Sequence, residues 1–441
     1  MSSSEVVGVF MVLLAALSFV NSRFLKLPAT IGILIGGLIL AGGVAVLESL
    51  GVALAGQIQA TVTSLPFGTL VFDWLLGLLL FASAIQINVR LLFEERLTVV
   101  AVTLLTTLIT LLLIGTGTFY LLNWAGIPLS WAAALLFGAI IAPTDPVAAL
   151  PLLKAAGVPE KVEALIAGES LFNDGVGVVA FAVLVGLLSP TAGGVTLPAV
   201  LLLFGREMLG GLLLGTLLGG AAFTFIHRAA LDENTRLTIT LALVVGGNAL
   251  AQQLEVSAPI TAVMSGLTLV ALLQLIRKKS EIKAQSNSRV AQWKTENQGT
   301  LDDIQDHLYT FWGFVDYLLN AALFTLMAFE ILSLQIGWAL LALVPGVIVL
   351  GLVARALGVW LPMTLIARRE HFPPYTRRLM VWSGLRGGVT LALAFTVPEG
   401  ELRNTLLVLS YGVVIFSLLV QGLTIPRLAR RATAASEAEA A

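Results

Sequence analysis

The chain reads Gly168-Glu169-Ser170-Leu171-Phe172-Asn173-Asp174-Gly175 in the middle of an apolar run over 162–188. This run is long enough to cross a bilayer as a helix, which takes about 20 residues. A charged side chain inside a bilayer is costly and by default indicates a functional site. Ser170 and Asp174 are four residues apart, as are Glu169 and Asn173, so the polar side chains form two adjacent stripes on one helix. The stretch therefore predicts a membrane helix with a buried polar site.

Apolar runs recur along nearly all 441 residues, of which 58% are hydrophobic and 12% charged, and the mean hydropathy is +0.96. This composition predicts an all-α polytopic membrane protein, because a helix satisfies its own backbone hydrogen bonds in lipid. The net charge of −1 gives no basic field that would favour nucleic acid. The absence of Cys removes disulfides and thiolate metal sites, and three His near loops do not favour a histidine metal site. We expect no cofactor.

The chain contains about thirteen apolar segments, each close to the ~20 residues that a helix needs to cross a bilayer. The predicted segments are 5–22, 29–47, 67–88, 97–123, 131–153, 162–188, 197–227, 235–254, 258–277, 311–332, 337–366, 376–398 and 403–428. Segment 29–47 is rich in Gly and is expected to be the least regular helix. No positive charge precedes the first segment, which favours a retained helix over a cleaved signal peptide.

Lys and Arg gather in the loops that follow odd-numbered segments, with Arg206 and Arg403 as exceptions near loop edges. Positive loops face the cytoplasm, so the N-terminus is predicted outside and the C-terminus inside. The predicted organisation is membrane segments 1–9 over 1–277, a polar cytoplasmic linker over 278–310, membrane segments 10–13 over 311–428 and a short cytoplasmic tail over 429–441. The short tail and the lack of a targeting segment favour a bacterial-type inner (plasma) membrane.

Segment five contains Ala142-Pro143-Thr144-Asp145-Pro146. Its two prolines remove backbone donors and disfavour the helical conformation in the residues before them, so the helix should break beside Asp145. A proline kink with a capping Thr-Asp pair is the alternative. In a membrane such a break is tolerated only where protein or a water-filled cavity satisfies the backbone.

Segment twelve contains Ser383-Gly384-Leu385-Arg386-Gly387-Gly388, in which three glycines weaken the helix around a cation. It is the predicted second break. Because segments five and twelve are seven apart, segments 1–6 and 8–13 are predicted to form two inverted six-helix repeats with crossed discontinuous helices. Arg355 and Arg386 fit no loop and are expected to meet buried carboxylates.

At these residues the chain resembles the monovalent cation/proton antiporter superfamily, in the branch of bacterial sodium/proton antiporters and eukaryotic sodium–hydrogen exchangers. The motifs are Thr144-Asp145-Pro146, Glu169-Ser170-Leu171-Phe172-Asn173-Asp174, Phe311-Trp312 with Asp316-Tyr317-Leu318-Leu319-Asn320, Ala354-Arg355 with Leu357-Gly358-Val359, and Gly384-Leu385-Arg386-Gly387. The resemblance covers most of the membrane part and implies a homodimer.

The resemblance also implies a role for each site residue. Asp174 is expected to hold either the cation or the proton, with Asp145, Thr144 and Ser170 as its neighbours in the ion site. The supporting roles fall to Asn173, which helps to fix the broken helix, to Glu169, which pairs with Arg355, and to Arg386, a counter-charge at the second crossing. The transported Na⁺ is a substrate and not a resident metal.

The implied function is secondary active sodium/proton antiport by alternating access, for pH and sodium homeostasis. The electrogenic branch of the superfamily carries two adjacent aspartates where this chain has Asn173-Asp174, which favours electroneutral exchange of one Na⁺ (or Li⁺) for one H⁺. No Gly-x-x-x-x-Gly-Lys-Ser/Thr motif for ATP occurs. The alternatives are a potassium/proton antiporter, a cation channel, an organic-anion symporter and an intramembrane aspartyl protease that would use Asp145 and Asp174.

Overall fold

The protein is almost wholly helical in a computed structural model that describes residues 3–51, 56, 75–188, 197–228, 232–286, 288–366, 373 and 375–440. The predicted all-α membrane class is confirmed over these residues. The helices are α1 (Ser3–Val20), α2 (Ala29–Ser49), α3 (Leu76–Gln86), α4 (Val89–Glu94), α5 (Arg96–Trp124), α6 (Trp131–Ile141), α7 (Pro146–Ala155), α8 (Glu160–Leu188), α9 (Leu197–Arg228), α10 (Glu233–Gln253), α11 (Ala258–Ser286), α12 (Ser288–Glu330), α13 (Trp338–Ile366), α14 (Thr376–Ser383), α15 (Gly388–Thr396), α16 (Glu401–Phe416) and α17 (Leu423–Ala440). Two π-helical turns, Asn21–Leu25 and Ser417–Gly422, follow α1 and α16.

Nine described helices are long and apolar enough to cross a membrane, or ten if α14 and α15 form one bent span. Each of the thirteen predicted segments overlaps a described helix, although 67–74 lies outside the described residues. The count of thirteen crossings is not confirmed. Helix α6 has only 11 residues, α3 begins beside residues that lie outside the description, and α10 is not among the helices whose length and hydropathy suffice for a span.

Helix α2 is continuous from Ala29 to Ser49, although its glycines predicted the least regular segment. Three of its glycines, Gly32, Gly36 and Gly37, lie in close contact with neighbouring side chains. A Cβ atom at Gly37 would lie 2.6 Å from the Cβ of Ala328 on α12. The absence of a side chain at Gly37 thus lets α2 approach α12 closely without interrupting the helix.

The chain forms two compact units, the first comprising Met1–Leu75, Val100–Gly194 and Leu318–Ala441, and the second comprising Leu76–Val99 and Val195–Tyr317. In the second unit α11 packs against α3, α9 and α10. In the first unit α8 packs against α6 and α7, and α16 packs against α13 and α15. All of the predicted site residues belong to the first unit.

Both predicted helix breaks are present in the first unit. The helix stops at Ile141 and resumes at Pro146, and it stops again at Ser383 and resumes at Gly388 with a bend of 43° between α14 and α15. The two breaks meet, because the Asp145 amide donates to the Leu385 carbonyl oxygen at 2.7 Å. The inverted relation of the two halves stays a prediction.

The predicted linker and tail have helical backbones. Helix α11 runs to Ser286, α12 runs from Ser288 through the predicted boundary at 310, and α17 continues to Ala440. The assignment of 278–310 and 429–441 to the cytoplasm stays a prediction.

Candidate functional site

The first break is held by side chains of α8. Asn173 Oδ1 accepts from the Thr144 amide at 3.1 Å, and Asn173 Nδ2 donates to Thr144 Oγ1 at 2.6 Å. Ser170 Oγ lies 2.9 Å from Thr144 Oγ1, so the two hydroxyls share a hydrogen bond. All three side chains are buried. Because Pro143 and Pro146 leave the segment without helical hydrogen bonds, α8 supplies the polar partners that the break needs.

Glu169 and Arg355 form a two-pronged buried ion pair. Arg355 Nη1 and Nη2 donate to the two carboxylate oxygens of Glu169 at 2.7 Å each, and the side chains are 4% and 0% exposed respectively. Arg355 Nη2 also donates to the Met380 carbonyl oxygen at 3.0 Å, and Asn173 Nδ2 donates to Glu169 Oε1 at 3.0 Å. This pair is the one that the family resemblance implied, and it neutralises the carboxylate beside the first break.

Arg386 departs from expectation, because it forms no ion pair with a described carboxylate. Its Nη1 atom donates instead to the carbonyl oxygens of Ala142 and Pro143, the latter at 2.8 Å. These carbonyls lost their helical partners at the first break. The guanidinium of the second break therefore satisfies the backbone of the first, which is why a cation is stable there without a direct carboxylate partner.

Asp174 and Asp145 supply the remaining charge of the site. Asp174 is 2% exposed and Asp145 is 7% exposed. Asp174 Oδ1 is buried and accepts no hydrogen bond from any described residue. The charges that act on Asp174 are those of Asp145, Glu169 and Arg386. The structure thus brings Asp174, Asp145, Thr144 and Ser170 to one place, with an acceptor oxygen left unsatisfied among them.

Two residues contribute contacts to the site that the sequence did not predict. Ser417 Oγ accepts from the Arg386 amide at 2.9 Å, but a single serine in an apolar run gives no signal of this contact. Gly387 abuts Asp145 so closely that an added Cβ atom would lie 2.6 Å from the Asp145 Cβ and 2.8 Å from its Cγ. The glycines of the motif gave a signal for a break, and not for this close approach.

The site offers only oxygen ligands. Across the described part of the chain no three His, Cys, Asp or Glu side chains are grouped closely enough to hold a resident metal. Two carboxylates and two hydroxyls are hard ligands that suit a small hard cation or a proton.

Two broken helices whose breaks meet beside a buried carboxylate are typical of secondary transporters built from discontinuous membrane helices. The sequence profile of the family described as "Sodium/hydrogen exchanger, transmembrane" matches residues 9–431. The chain belongs to this sodium/hydrogen exchanger family.

Several known proteins are similar to the chain along almost its whole length. The Na⁺/H⁺ antiporter NhaP of Pseudomonas aeruginosa is 36% identical over 434 residues, which cover 97% of this chain and 96% of the relative. The Na⁺/H⁺ antiporter NhaH of Halobacillus dabanensis is 28% identical over 415 residues, 93% of each chain. The electron-microscopy structure of the sodium proton antiporter MjNhaP1 from Methanocaldococcus jannaschii is 21% identical, covers 98% of each chain and has a TM-score of 0.71, which shows the shared fold.

Proposed function

We propose that this protein is a secondary active antiporter that exchanges one Na⁺ or Li⁺ for one H⁺, for pH and sodium homeostasis. The observation that carries the proposal is the unsatisfied, buried Oδ1 of Asp174. Both nearby arginines are engaged elsewhere, Arg355 with Glu169 and Arg386 with backbone carbonyls. A carboxylate oxygen that receives no protein donor in a membrane needs a cation or a proton, and exchange of the two is antiport.

The cation site of the proposal consists of Asp174 and Asp145 with the hydroxyls of Thr144 and Ser170. The relatives of this chain in sequence are named Na⁺/H⁺ antiporters, which supports Na⁺ as the substrate. The hydroxyls already share one hydrogen bond at 2.9 Å, so each keeps lone pairs that can face a cation. Potassium/proton exchange is the alternative, and the ion series below separates the two.

Coupling follows from competition for one carboxylate. Ionised Asp174 binds the partly dehydrated cation, and protonation removes that charge and releases the ion. An empty, ionised Asp174 is penalised in a low-dielectric path, because its buried Oδ1 has no hydrogen-bond donor among the described residues. Only the cation-loaded and protonated forms therefore alternate readily between the two openings, which couples the fluxes without ATP.

The one-to-one stoichiometry is supported by the contacts of Asn173. Its amide is occupied by Thr144 and Glu169, with three hydrogen bonds between 2.6 and 3.1 Å, and it carries no charge. Glu169 is neutralised by Arg355. Of the pair Asn173-Asp174, only Asp174 can exchange a proton, which supports the exchange of one cation for one proton with no net movement of charge.

The proposed protein is a homodimer in the plasma (inner) membrane. The family resemblance supports a homodimer. The distribution of Lys and Arg among the loops supports an N-terminus outside and a C-terminus in the cytoplasm. The bacterial sources of the relatives support a plasma (inner) membrane location.

The test is a cation-triggered pH change in proteoliposomes that hold the purified chain, with Na⁺, Li⁺ and K⁺ compared and the membrane potential clamped or free. Asp174→Asn should abolish proton movement while the protein remains monodisperse in detergent. The matched control is Asp306→Asn, which makes the same substitution at an exposed position and should leave exchange unchanged.

Movement that requires Asp174 and does not respond to the potential supports electroneutral antiport, and the response to each ion ranks the substrates. Exchange retained by Asp174→Asn removes this residue from the site. Movement with K⁺ alone supports the potassium alternative. No coupled movement with any of the ions favours a channel or an organic-anion symporter.

A further inference from the structure

A basic pocket separate from the ion site lies in the first unit, between α13, α14 and α17. Its volume is about 570 Å³, within the ~300–1,000 Å³ typical of ligand pockets. Its polar and aromatic lining is Trp360 of α13, Arg378 and Trp382 of α14, and Thr424, Arg427 and Arg431 of α17.

The sequence spacing aligns this lining. Thr424, Arg427 and Arg431 follow one another at i, i+3 and i+7, which places them on one face of α17. Arg378 and Trp382 are four residues apart and share a face of α14. Helices α14 and α17 pack together, so the two faces form the walls of one groove.

The floor of the groove is fixed by a hydrogen bond from Trp382 Nε1 to Thr424 Oγ1 at 2.9 Å. Trp360 is 47% exposed at the edge, and the guanidinium carbon of Arg377 lies 6.0 Å from the centre of its ring. The tryptophan rings thus present apolar surface beside the charged groups, without closing the groove.

The three arginines of the pocket, Arg378, Arg427 and Arg431, are exposed and uncompensated. None of them forms an ion pair or a hydrogen bond with any described residue. Three like charges around one cavity repel each other, and an anion bound between them would remove that repulsion. Guanidinium groups bind phosphate oxygens in a planar, two-pronged geometry, so phosphate is the anion that the lining suits.

The pocket also lies at helix ends. Trp360 is near the C-terminal end of α13, Arg378 is the third residue of α14, and Arg427 is in the second turn of α17. These helix ends adjoin the arginine-rich loops, which the predicted topology places on the cytoplasmic side. Tryptophan with arginine at the end of a membrane helix is typical of the headgroup layer, where phosphate is attached to lipid chains.

From these observations we infer that the groove between α14 and α17 binds the headgroup of an anionic glycerophospholipid. Arg378, Arg427 and Arg431 hold the phosphate, and Trp360 and Trp382 contact the glycerol and the upper part of the chains. Helix α14 is the first half of the second broken helix, so the bound lipid stabilises the element that leads into the break containing Arg386. The inference concerns a lipid site apart from the cation site, and its test does not require transport.

The test uses the full chain in a neutral detergent, titrated with phosphatidylglycerol, with phosphatidylcholine of the same chains, or with glycerol phosphate. Bound lipid is counted by native mass spectrometry, and the melting temperature is followed in parallel. Phosphatidylglycerol should bind and raise the melting temperature, and the other two should not at equal concentration. One arginine near an anionic headgroup is worth roughly a fivefold change in affinity, so Arg378→Gln/Arg427→Gln/Arg431→Gln should weaken binding about a hundredfold.

The matched control is Arg430→Gln, which removes an exposed arginine of α17 that does not line the pocket. It should bind phosphatidylglycerol like the wild type. If the triple variant does not fold, the single variant Arg427→Gln replaces it, with a roughly fivefold loss expected. Equal stabilisation by glycerol phosphate would show a site for soluble anions and overturn the lipid assignment. Unchanged binding of phosphatidylglycerol in the arginine variants would overturn it as well. So would a loss of binding in Arg430→Gln equal to that in the pocket variants.

Discussion

Removal of the Glu169 carboxylate should destabilise the protein through the charge that it leaves behind. In Glu169→Ala, Arg355 loses two hydrogen bonds of 2.7 Å and remains buried, and the Met380 carbonyl oxygen is its one remaining acceptor among the described residues. Breaking a buried ion pair on one side costs about 3–5 kcal/mol in soluble proteins. The Asn173 amide loses its 3.0 Å bond to Glu169 as well, so the upper half of this range applies.

The assay is thermal unfolding of the purified variant in detergent, where a loss of this size lowers the melting temperature by roughly 5–10 °C. The control is Glu94→Ala, which breaks the Arg90–Glu94 pair, whose side chains are 70% and 53% exposed. An exposed pair of this kind contributes at most about 1 kcal/mol, so the control should melt close to the wild type. The double variant Glu169→Ala/Arg355→Met should recover part of the loss, because no unpaired charge remains.

A melting temperature of Glu169→Ala within about 2 °C of the wild type would refute the reasoning, since the shift worked from the ion pair is several times larger. If that stable variant had also lost exchange, Glu169 would belong to the ion site itself. If the double variant were as unstable as the single one, the lost packing of the side chain, and not the stranded charge, would be the cause.

Three further substitutions test other contacts of the site. Asn173→Asp replaces an amide donor by a second carboxylate beside Glu169, so we expect lower thermal stability and lower exchange, and not a gain of electrogenic transport in a potential-sensitive flux assay. Gly387→Ala places a methyl group against Asp145 and should abolish or strongly reduce exchange, whereas Gly351→Ala, with open space around its Cβ position, should leave it unchanged. Ser417→Ala leaves the buried Arg386 amide without its acceptor and should cost about 1–3 kcal/mol in a detergent unfolding assay.

The helix breaks were predictable from the sequence because local chemistry dictates them. Pro143 and Pro146 cannot continue a helix, and glycines flank Arg386, so both positions follow without knowledge of any long-range contact. The positions of most long helices were predictable for the same reason, since the length of an apolar run is a local property. The number of crossings is not confirmed, because α6 is too short to be judged by length alone and part of segment 67–88 lies outside the described residues.

The partners of the buried cations depend on how distant segments pack, and the sequence alone does not specify them. A guanidinium in an apolar segment needs acceptors, and both carboxylates and broken-helix carbonyls can supply them. Arg355 meets Glu169, but Arg386 meets the carbonyls of Ala142 and Pro143. The choice between them is decided by the crossing of the two breaks, which no periodicity in the chain reveals.

The contact of Arg386 with the first break has a consequence for biosynthesis. The Pro143 carbonyl and its guanidinium donor are 243 residues apart, and Glu169 is 186 residues from Arg355. At about 5–20 residues synthesised per second, Arg386 is added to the chain roughly 12–50 s after the first break. During that interval Glu169 lacks its Arg355 partner, and the carbonyls of the first break lack the guanidinium of Arg386. The ion site is therefore among the last parts of the protein to form, and a chain truncated before Arg355 retains the acidic residues but not the groups that stabilise them.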